Sequence, residues 1–282
     1  MRGQVDVKWL ERKAHTIRCH IVDMVEKAQS GHPGASLSAV EILTVLYFSV
    51  LNVDPQNPDW QDRDRFVLSK GHATPVYYSI LAEKGFFPLE ELSTFRKLNS
   101  RLQGHPDVRK TPGVDMTTGS LGQGFGSTVG MALALRHKKS AACTYALLGD
   151  GELNEGEIWE AAMIAAHYKL DRLVAVIDKN GKQASGCTKD ILNTADLAAK
   201  WEAFGWDVTE VDGHDIEQLA DGFSQAKANI GKGKPSVMIA NTVKGRGISF
   251  MEQGNEFYGE KLTADEIARA KQELMTRGLE YA

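Results

Sequence analysis

The stretch LLGDGELNEGEIWEAAMIAAHYKLDRLVAVIDKN, residues 147–180, decides the fold. Two short apolar, β-branched runs, Thr144–Leu148 and Leu173–Ile177, flank a helical segment. A strand–helix–strand unit of this length is a crossover, so the two strands are expected to be parallel neighbours. Their carboxyl ends then lie side by side, where open α/β sheets bind ligands. The first run ends in Gly149-Asp150-Gly151 and the second in Asp178-Lys179-Asn180, polar residues able to hold a cation. Asp150 and Asn180 can therefore meet around one ion although residues 151–179 separate them. A carboxylate, an amide oxygen, a backbone carbonyl and phosphate oxygens make an all-oxygen set, which suits Mg²⁺. Gly149 and Gly151 leave room for a large anion against the backbone. The helix that follows is expected to aim its first N–H groups at that anion. A plain strand-ending turn also reads GDG, so the rest of the chain has to decide.

A chain of 282 residues can bury a large core and sits near the upper limit for one domain, read as a single unit over 1–282. Its net charge of -4 gives no electrostatic reason to expect nucleic acid or an anionic membrane as a partner. Cys19, Cys143 and Cys187 form no CxxC pair, which points to reduced thiols and a cytoplasmic location. The N-terminus carries Arg2, Asp6, Lys8, Glu11 and Arg12 without an apolar core, unlike a signal peptide. No apolar run approaches the ~20 residues of a membrane span.

Leu10, Ala14, Ile17, Ile21, Met24 and Ala28 recur at helical spacing and predict a helix over about 5–28. The broken loop Gln29-Ser30-Gly31-His32-Pro33-Gly34 stops it. A nearly all-apolar helix is expected over 38–50, and a short strand, Phe66-Val67-Leu68, runs into Ser69-Lys70-Gly71-His72. Further helices are expected over 75–84, 89–98, 193–204 and 215–230, and strands over 206–211 and 237–240. Residues 117–124 open a small-residue helix ending near His137, and Val243–Gly247 is a basic, glycine-rich loop. The last helix, over 264–277, has charges on most faces and reads as a surface element. Helices alternating with short hydrophobic strands predict an α/β protein with a doubly wound, mainly parallel sheet and helices on both faces. The glycine-rich loops then fall along one sheet edge, where a single ligand could touch several.

Three of the eight histidines sit in glycine-flanked loops: SGHPG (His32), KGHA (His72) and QGHP (His105). One such loop alone is as well explained by a turn histidine bonded to backbone. Three of them upstream of an anion site suit a ligand with many hydroxyls, because an imidazole with its ordinary pKa of about 6.5 donates or accepts near neutral pH. His15, His20, His137, His167 and His214 have no comparable context and are assigned no role.

GDG followed at 180 by asparagine resembles the diphosphate–magnesium signature of thiamine-diphosphate enzymes. GDGELNEGEIWEA, the three histidine loops, TTGSLGQG and TVKGRGIS resemble transketolase motifs in the same order, and the similarity runs from about Ile17 to the last helix. The resemblance implies thiamine diphosphate with Mg²⁺ or Ca²⁺ as cofactors, and transfer of a two-carbon ketol unit from a ketose phosphate to an aldose phosphate. It places the metal on Asp150, Asn180 and the backbone carbonyl of Lys182. Gly151, Glu152, His72 and Lys244 match cofactor-binding residues, His72 and Lys244 as donors to the diphosphate, where charge-assisted bonding is favoured. Gly119-Ser120-Leu121 matches the segment that meets the cofactor rings, with Leu121 as an apolar wedge. His105 matches the histidine that binds the donor's first hydroxyl, and His32 one that handles protons at the bond being broken. Glu155 and Glu160 match two acids that link paired cofactor sites. A glutamate at a helix start, as Glu155 is, is also what the macrodipole favours.

Two departures accompany the resemblance. The chain ends where a full-length transketolase is less than half complete, short of the pyrimidine-binding domain and of the groups that hold the sugar phosphate. Split bacterial transketolases supply that part as a second polypeptide, and this chain resembles their N-terminal subunit. The implied particle is α2β2, with the helices near 39–50 and 126–135 packed partly against other subunits. The second departure is Tyr258-Gly259, where the family has His-Gly. A tyrosine, with a pKa of about 10, donates a hydrogen bond but is a poor base at neutral pH. Either His32 carries more of the proton transfer, or the substrate differs, or activity is low. The competing readings are the α chain of a 2-oxo acid dehydrogenase, a class without the three histidine loops, and a non-catalytic relic, which the intact metal ligands oppose.

Overall fold

The computed structural model describes residues 5–253 and 261–279. Its strands are β1 (Arg65–Leu68), β2 (Thr144–Gly149), β3 (Leu173–Lys179), β4 (Lys182–Gln183), β5 (Gly186–Cys187), β6 (Asp207–Asp212) and β7 (Ser236–Asn241). Its α-helices are α1 (Val7–Ala28), α2 (Pro33–Leu37), α3 (Val40–Val45), α4 (Thr74–Lys84), α5 (Gln123–His137), α6 (Gly156–His167), α7 (Thr188–Ile191), α8 (Leu197–Ala203), α9 (Ile216–Ala228), α10 (Ser249–Gln253) and α11 (Ala264–Gly278).

The main sheet runs β1-β2-β3-β7-β6 and every pairing in it is parallel. The crossover expected from the sequence is in place, with Gly149 opposite Asp178 at the carboxyl ends of β2 and β3. Strand periodicity of two sends alternate residues to opposite faces. Tyr145, Leu147, Val174, Val176 and Met238 join a core built with α1, α3, α4 and α9. Ala146, Leu148, Ala175, Ile177, Val237 and Ile239 join a second core with α5, α6 and α8. Helices therefore cover both faces, and the loops at the carboxyl edge are left to form a site.

Several boundaries differ from expectation. The helix expected over 38–50 is α3 followed by a π-helical turn, Leu46–Val50. Val40, Ile42, Leu43 and Val45 are all 0% exposed, because α3 lies among α1, α4 and α9. α3 is core within the single chain, so of the 39–50 segment only residues 48–50 are left partly exposed. Residues 89–98 make only a 3-10 turn, Leu89–Thr94, in which the Ser93 and Thr94 hydroxyls bond back to the carbonyls of Glu90 and Glu91. The helix expected over 193–204 begins at Leu197, where Asp196 accepts the Ala199 N–H. The antiparallel β4–β5 hairpin and α7 were not anticipated.

The last helix lies at the surface, as expected, and is held there by a cap and a narrow buried stripe. Thr263 and Glu266 form a reciprocal cap at its start, and Ile267, Ala270 and Leu274 bury a stripe that packs on α1. Among the described residues no helix is long and apolar enough to cross a membrane. Cys19, Cys143 and Cys187 are free thiols.

Candidate active site

β2 and β3 deliver the site's acidic centre. The Asp150 N–H donates to the Asp178 carbonyl at 3.3 Å, which joins the two strand ends. The buried Asp150 carboxylate accepts the Gly151 N–H at 3.0 Å through Oδ1 and the Gly181 N–H at 2.6 Å through Oδ2. The Asn180 Oδ1 accepts the Lys182 N–H at 3.1 Å. These bonds bring the 150 and 180 loops together as the sequence spacing required.

The helix does not follow GDG directly. A 3-10 turn, Gly151–Asn154, intervenes, and α6 starts only at Gly156. Asp150 takes the Gly151 N–H, and Glu152 takes that of Gly149 at 3.1 Å, so the expectation of a helix N-terminus aimed straight at an anion is corrected. The buried Glu152 also accepts from Ser69 Oγ at 2.5 Å and from the Gly122 N–H at 2.9 Å. Its carboxylate knits three loops together. Burial pushes its carboxyl up, against the pull of these donors. Gly151 lies under the hairpin: a Cβ there would come within 2.7 Å of Gln183 Cβ.

A cleft of about 170 Å³ opens at this edge and is lined by His72, Leu121, Asp150, Gly151, Glu152, Asn180, Lys182 and Lys244, with Ala35 and Lys70 among others. Eight residues singled out from sequence thus share one cavity. Burial, and then the charge of Asp178, pushes Asp150 up to about 7. Burial, then Lys70 and Lys182, pushes Lys244 down. Both charges are poorly solvated as the chain stands. A ligand that brought a divalent cation to Asp150 and anionic oxygens to Lys244 would relieve both, so the donor set fits a metal-bound diphosphate. Among the described residues no group of three or more His, Cys, Asp or Glu side chains could hold a metal. A cation here would depend on amide, carbonyl and ligand oxygens as well as on Asp150.

Of the three loop histidines only His72 lines the cleft, and His32 and His105 lie outside that lining. His32 and His72 pack edge to face with ring centroids 5.2 Å apart. Burial and then Arg96 lower His32 to about 4, while burial and then Lys70 hold His72 well below its ordinary value. His105 stands at the exposed rim, lowered by burial and Arg96. Its ring lies against Gly119, where a Cβ would come within 3.3 Å of it. Ser120 is exposed beside it. Glu155 caps α6 by position only, without a side-chain bond, and it and Glu160 are exposed outside the cleft. Tyr258 lies outside the described residues.

Lys70 and Asp178 are the residues that sequence reasoning missed or misplaced. Lys70 is 1% exposed and Asp178 0%, and they form an ion pair beneath the cleft. Lys70 also donates to the Ala35 carbonyl at 2.9 Å. Asp178 accepts from Ser38 Oγ at 2.5 Å and from Thr242 Oγ1. Burial alone would raise the Asp178 carboxyl, but Lys70 and these donors outweigh it and hold it below the usual range. Asp178 is therefore spent inside the protein, not free to ligate a cation as its place at a strand end suggested. Lys70 sits two residues before His72 in the same motif, which is the one sequence signal that could have found it.

Comparison with known proteins agrees with this geometry. The family model described as transketolase, thiamine diphosphate binding domain, matches residues 10–280. The chain is 45% identical over 269 residues to a 6-deoxy-6-sulfo-D-fructose transketolase subunit from a Clostridium species, covering 95% of this chain and 97% of that one. It is 48% identical over 266 residues to an apulose-4-phosphate transketolase subunit from Actinobacillus succinogenes, covering 94% of this chain and 95% of that one. The solved transketolase of Campylobacter jejuni superposes with a TM-score of 0.89 at 34% identity, over 98% of this chain but only 46% of that longer one. The chain belongs to the transketolase family, as its thiamine diphosphate binding domain at the length of the family's subunit-type members.

Proposed function

We propose that this chain is the diphosphate-holding subunit of a two-polypeptide transketolase. With a partner that carries the pyrimidine-binding domain, it transfers a two-carbon ketol unit from a ketose phosphate to an aldose phosphate. The carrying observation is the end-to-end match to subunit-type relatives, set against a match to less than half of a single-chain transketolase.

In this reading Asp150, the Asn180 amide oxygen and the Lys182 carbonyl hold Mg²⁺ or Ca²⁺, and His72 and Lys244 donate to the diphosphate. Leu121 gives an apolar support to the cofactor rings, with Gly119 and Ser120 beside it. Thiamine diphosphate supplies, when bound, the electron sink for carbon–carbon cleavage. His105 at the rim orients the donor sugar through its hydroxyls. His32 is lowered to about 4, so it is unprotonated at neutral pH and able to accept a hydrogen bond from a sugar hydroxyl, as a weak base. Glu155, before α6, and Glu160, on it, act between two copies of the chain in this reading, which their exposure supports. The same helix exposes Met163 (54%) and Ile164 (43%), followed by Tyr168 (50%), an apolar surface that supports self-association within an α2β2 particle in the cytoplasm.

The histidines are expected to divide by role. His105→Ala lowers kcat/KM for a ketose donor by about 10²-fold or more while cofactor affinity stays near that of the parent protein. His72→Ala instead weakens thiamine diphosphate binding by roughly tenfold, the worth of a hydrogen bond to a charged group. Parent-like kinetics and affinity in both variants would reduce these loops to structural turns.

Assembly gives the second test. The purified chain alone is expected to show no ketol transfer, and addition of the partner polypeptide restores it. The donor panel should include phosphorylated and sulfonated ketoses, since the similar subunits are named for a sulfo-sugar and a sugar phosphate. Full transfer by this chain on its own would overturn the two-polypeptide reading.

A further inference from the structure

Lys244 is held by a loop, and the loop is held by a buried charge cluster that lies outside the cleft. Glu41 on α3 is 7% exposed. Its Oε1 pairs with Arg18 Nη2 of α1 at 2.5 Å, and its Oε2 meets His214 Nδ1 at 3.0 Å. Both partners continue to the backbone of residues 243–247. The Val243 N–H donates to His214 Nε2 at 2.8 Å, which leaves the ring proton on Nδ1, facing Glu41. Arg18 Nε donates to the Arg246 carbonyl at 3.1 Å. The loop rests directly on that guanidinium. Gly247 has φ 98°, and a Cβ there would come within 2.9 Å of Arg18 Nε. Two further bonds complete the grip: the Gly245 N–H to the Gly34 carbonyl at 3.0 Å, and the Gly247 N–H to Glu252 Oε1 at 2.8 Å.

We propose that Glu41 is a positioning residue for the cofactor site: through Arg18 and His214 it fixes the loop 243–247 in the conformation that turns Lys244 into the cleft. This rests on the reading that the cleft holds a diphosphate. A buried carboxylate is costly unless paired and hydrogen-bonded, and a packed apolar trio would give comparable stability at this place. What an apolar trio could not do is capture a backbone N–H and a carbonyl of one loop from two directions. Burial alone would raise the Glu41 carboxyl, but Arg18 and His214 bring it down to about 2, so the anchor keeps its charge across the working pH range. The side chain between the two anchor points is Lys244, buried and lining the cleft.

The test is a double-mutant cycle on the full chain with its partner. The readout is the Kd for thiamine diphosphate in the presence of Mg²⁺, and ligand-free unfolding midpoints are measured beside it. Lys244→Ala and His214→Ala are each expected to weaken binding by about tenfold. The double variant should be no weaker than Lys244→Ala alone, because His214 acts through Lys244. Glu41→Gln should give the same non-additive pattern, and His214→Ala keeps the test open if Glu41→Gln does not fold. Lys244→Ala weakening the cofactor while His214→Ala leaves Kd unchanged, or multiplies fully in the double variant, overturns the positioning role alone. An unchanged Kd in Lys244→Ala overturns the positioning role together with the diphosphate reading of the cleft.

Discussion

Asp150→Ala is expected to lower the affinity for thiamine diphosphate in Mg²⁺ by at least about 10²-fold. Changes to groups that merely support a ligand cost roughly 10–100-fold in metal affinity, and Asp150 would be the only charged protein ligand of the set. In the ligand-free chain Asp150→Ala removes a buried charge but also the acceptor of the Gly151 and Gly181 N–H groups, so the two effects on stability oppose each other. Burial and Asp178 push the Asp150 carboxyl up to about 7, which means that the folded chain holds this charge at a cost. Asp150→Asn keeps the shape and one oxygen but removes the charge, and should fall near Asp150→Ala. Calorimetric titration with and without Mg²⁺, beside a thermal melt, separates binding from folding. Unchanged cofactor affinity in both variants would remove Asp150 from the centre of the site.

Asp178→Ala is expected to act on stability first. It leaves the Lys70 ammonium buried without its counter-charge, which costs about 3–5 kcal/mol. For a chain of this size that corresponds to a drop of roughly 10 °C in Tm. Lys70→Met should be similarly harmful, because Asp178 then faces only the Ser38 and Thr242 hydroxyls. Combining Lys70→Met with Asp178→Leu should recover much of the loss, since an apolar pair needs no compensation. Equal melting temperatures for the parent protein and Asp178→Ala would show that the pair carries no such energy.

The sheet and the acidic centre were legible because their signals are periodic or local. β2 and β3 are continuous apolar runs, their crossover has a fixed handedness and spacing, and GDG and Asn180 mark their ends. The residues lost to sequence reasoning are buried charges whose partners lie far along the chain. Lys70 needs Asp178, and Glu41 needs Arg18 and His214, and no period or spacing links them. His214 was given no role because its own neighbourhood is an ordinary turn; its meaning comes from Val243. The 89–98 segment failed for a different reason. Its serine and threonine hydroxyls compete for the backbone and the helix ends at Thr94, while Arg96 turns to φ 57°. In α11 the buried stripe of Ile267, Ala270 and Leu274 is narrow, and the surrounding charges hid it.

The three bonds gathered by Glu152 make the floor of the cleft a single mechanical part. Ser69 follows β1, Gly122 precedes α5 and Gly149 ends β2, yet one carboxylate holds all three. A displacement of any one of these loops is passed to the other two. Nearer solvent the His105 loop is tied through its backbone, by Thr74 to the Gly104 carbonyl and by Tyr78 to the His105 carbonyl, while the His105 and Ser120 residues stand exposed. Tolerance to substitution is therefore graded with depth. If the proposed reading holds, changes at the mouth would alter what is admitted while the seat below keeps its shape, so a lineage could exchange one sugar for another without rebuilding the grip on its coenzyme.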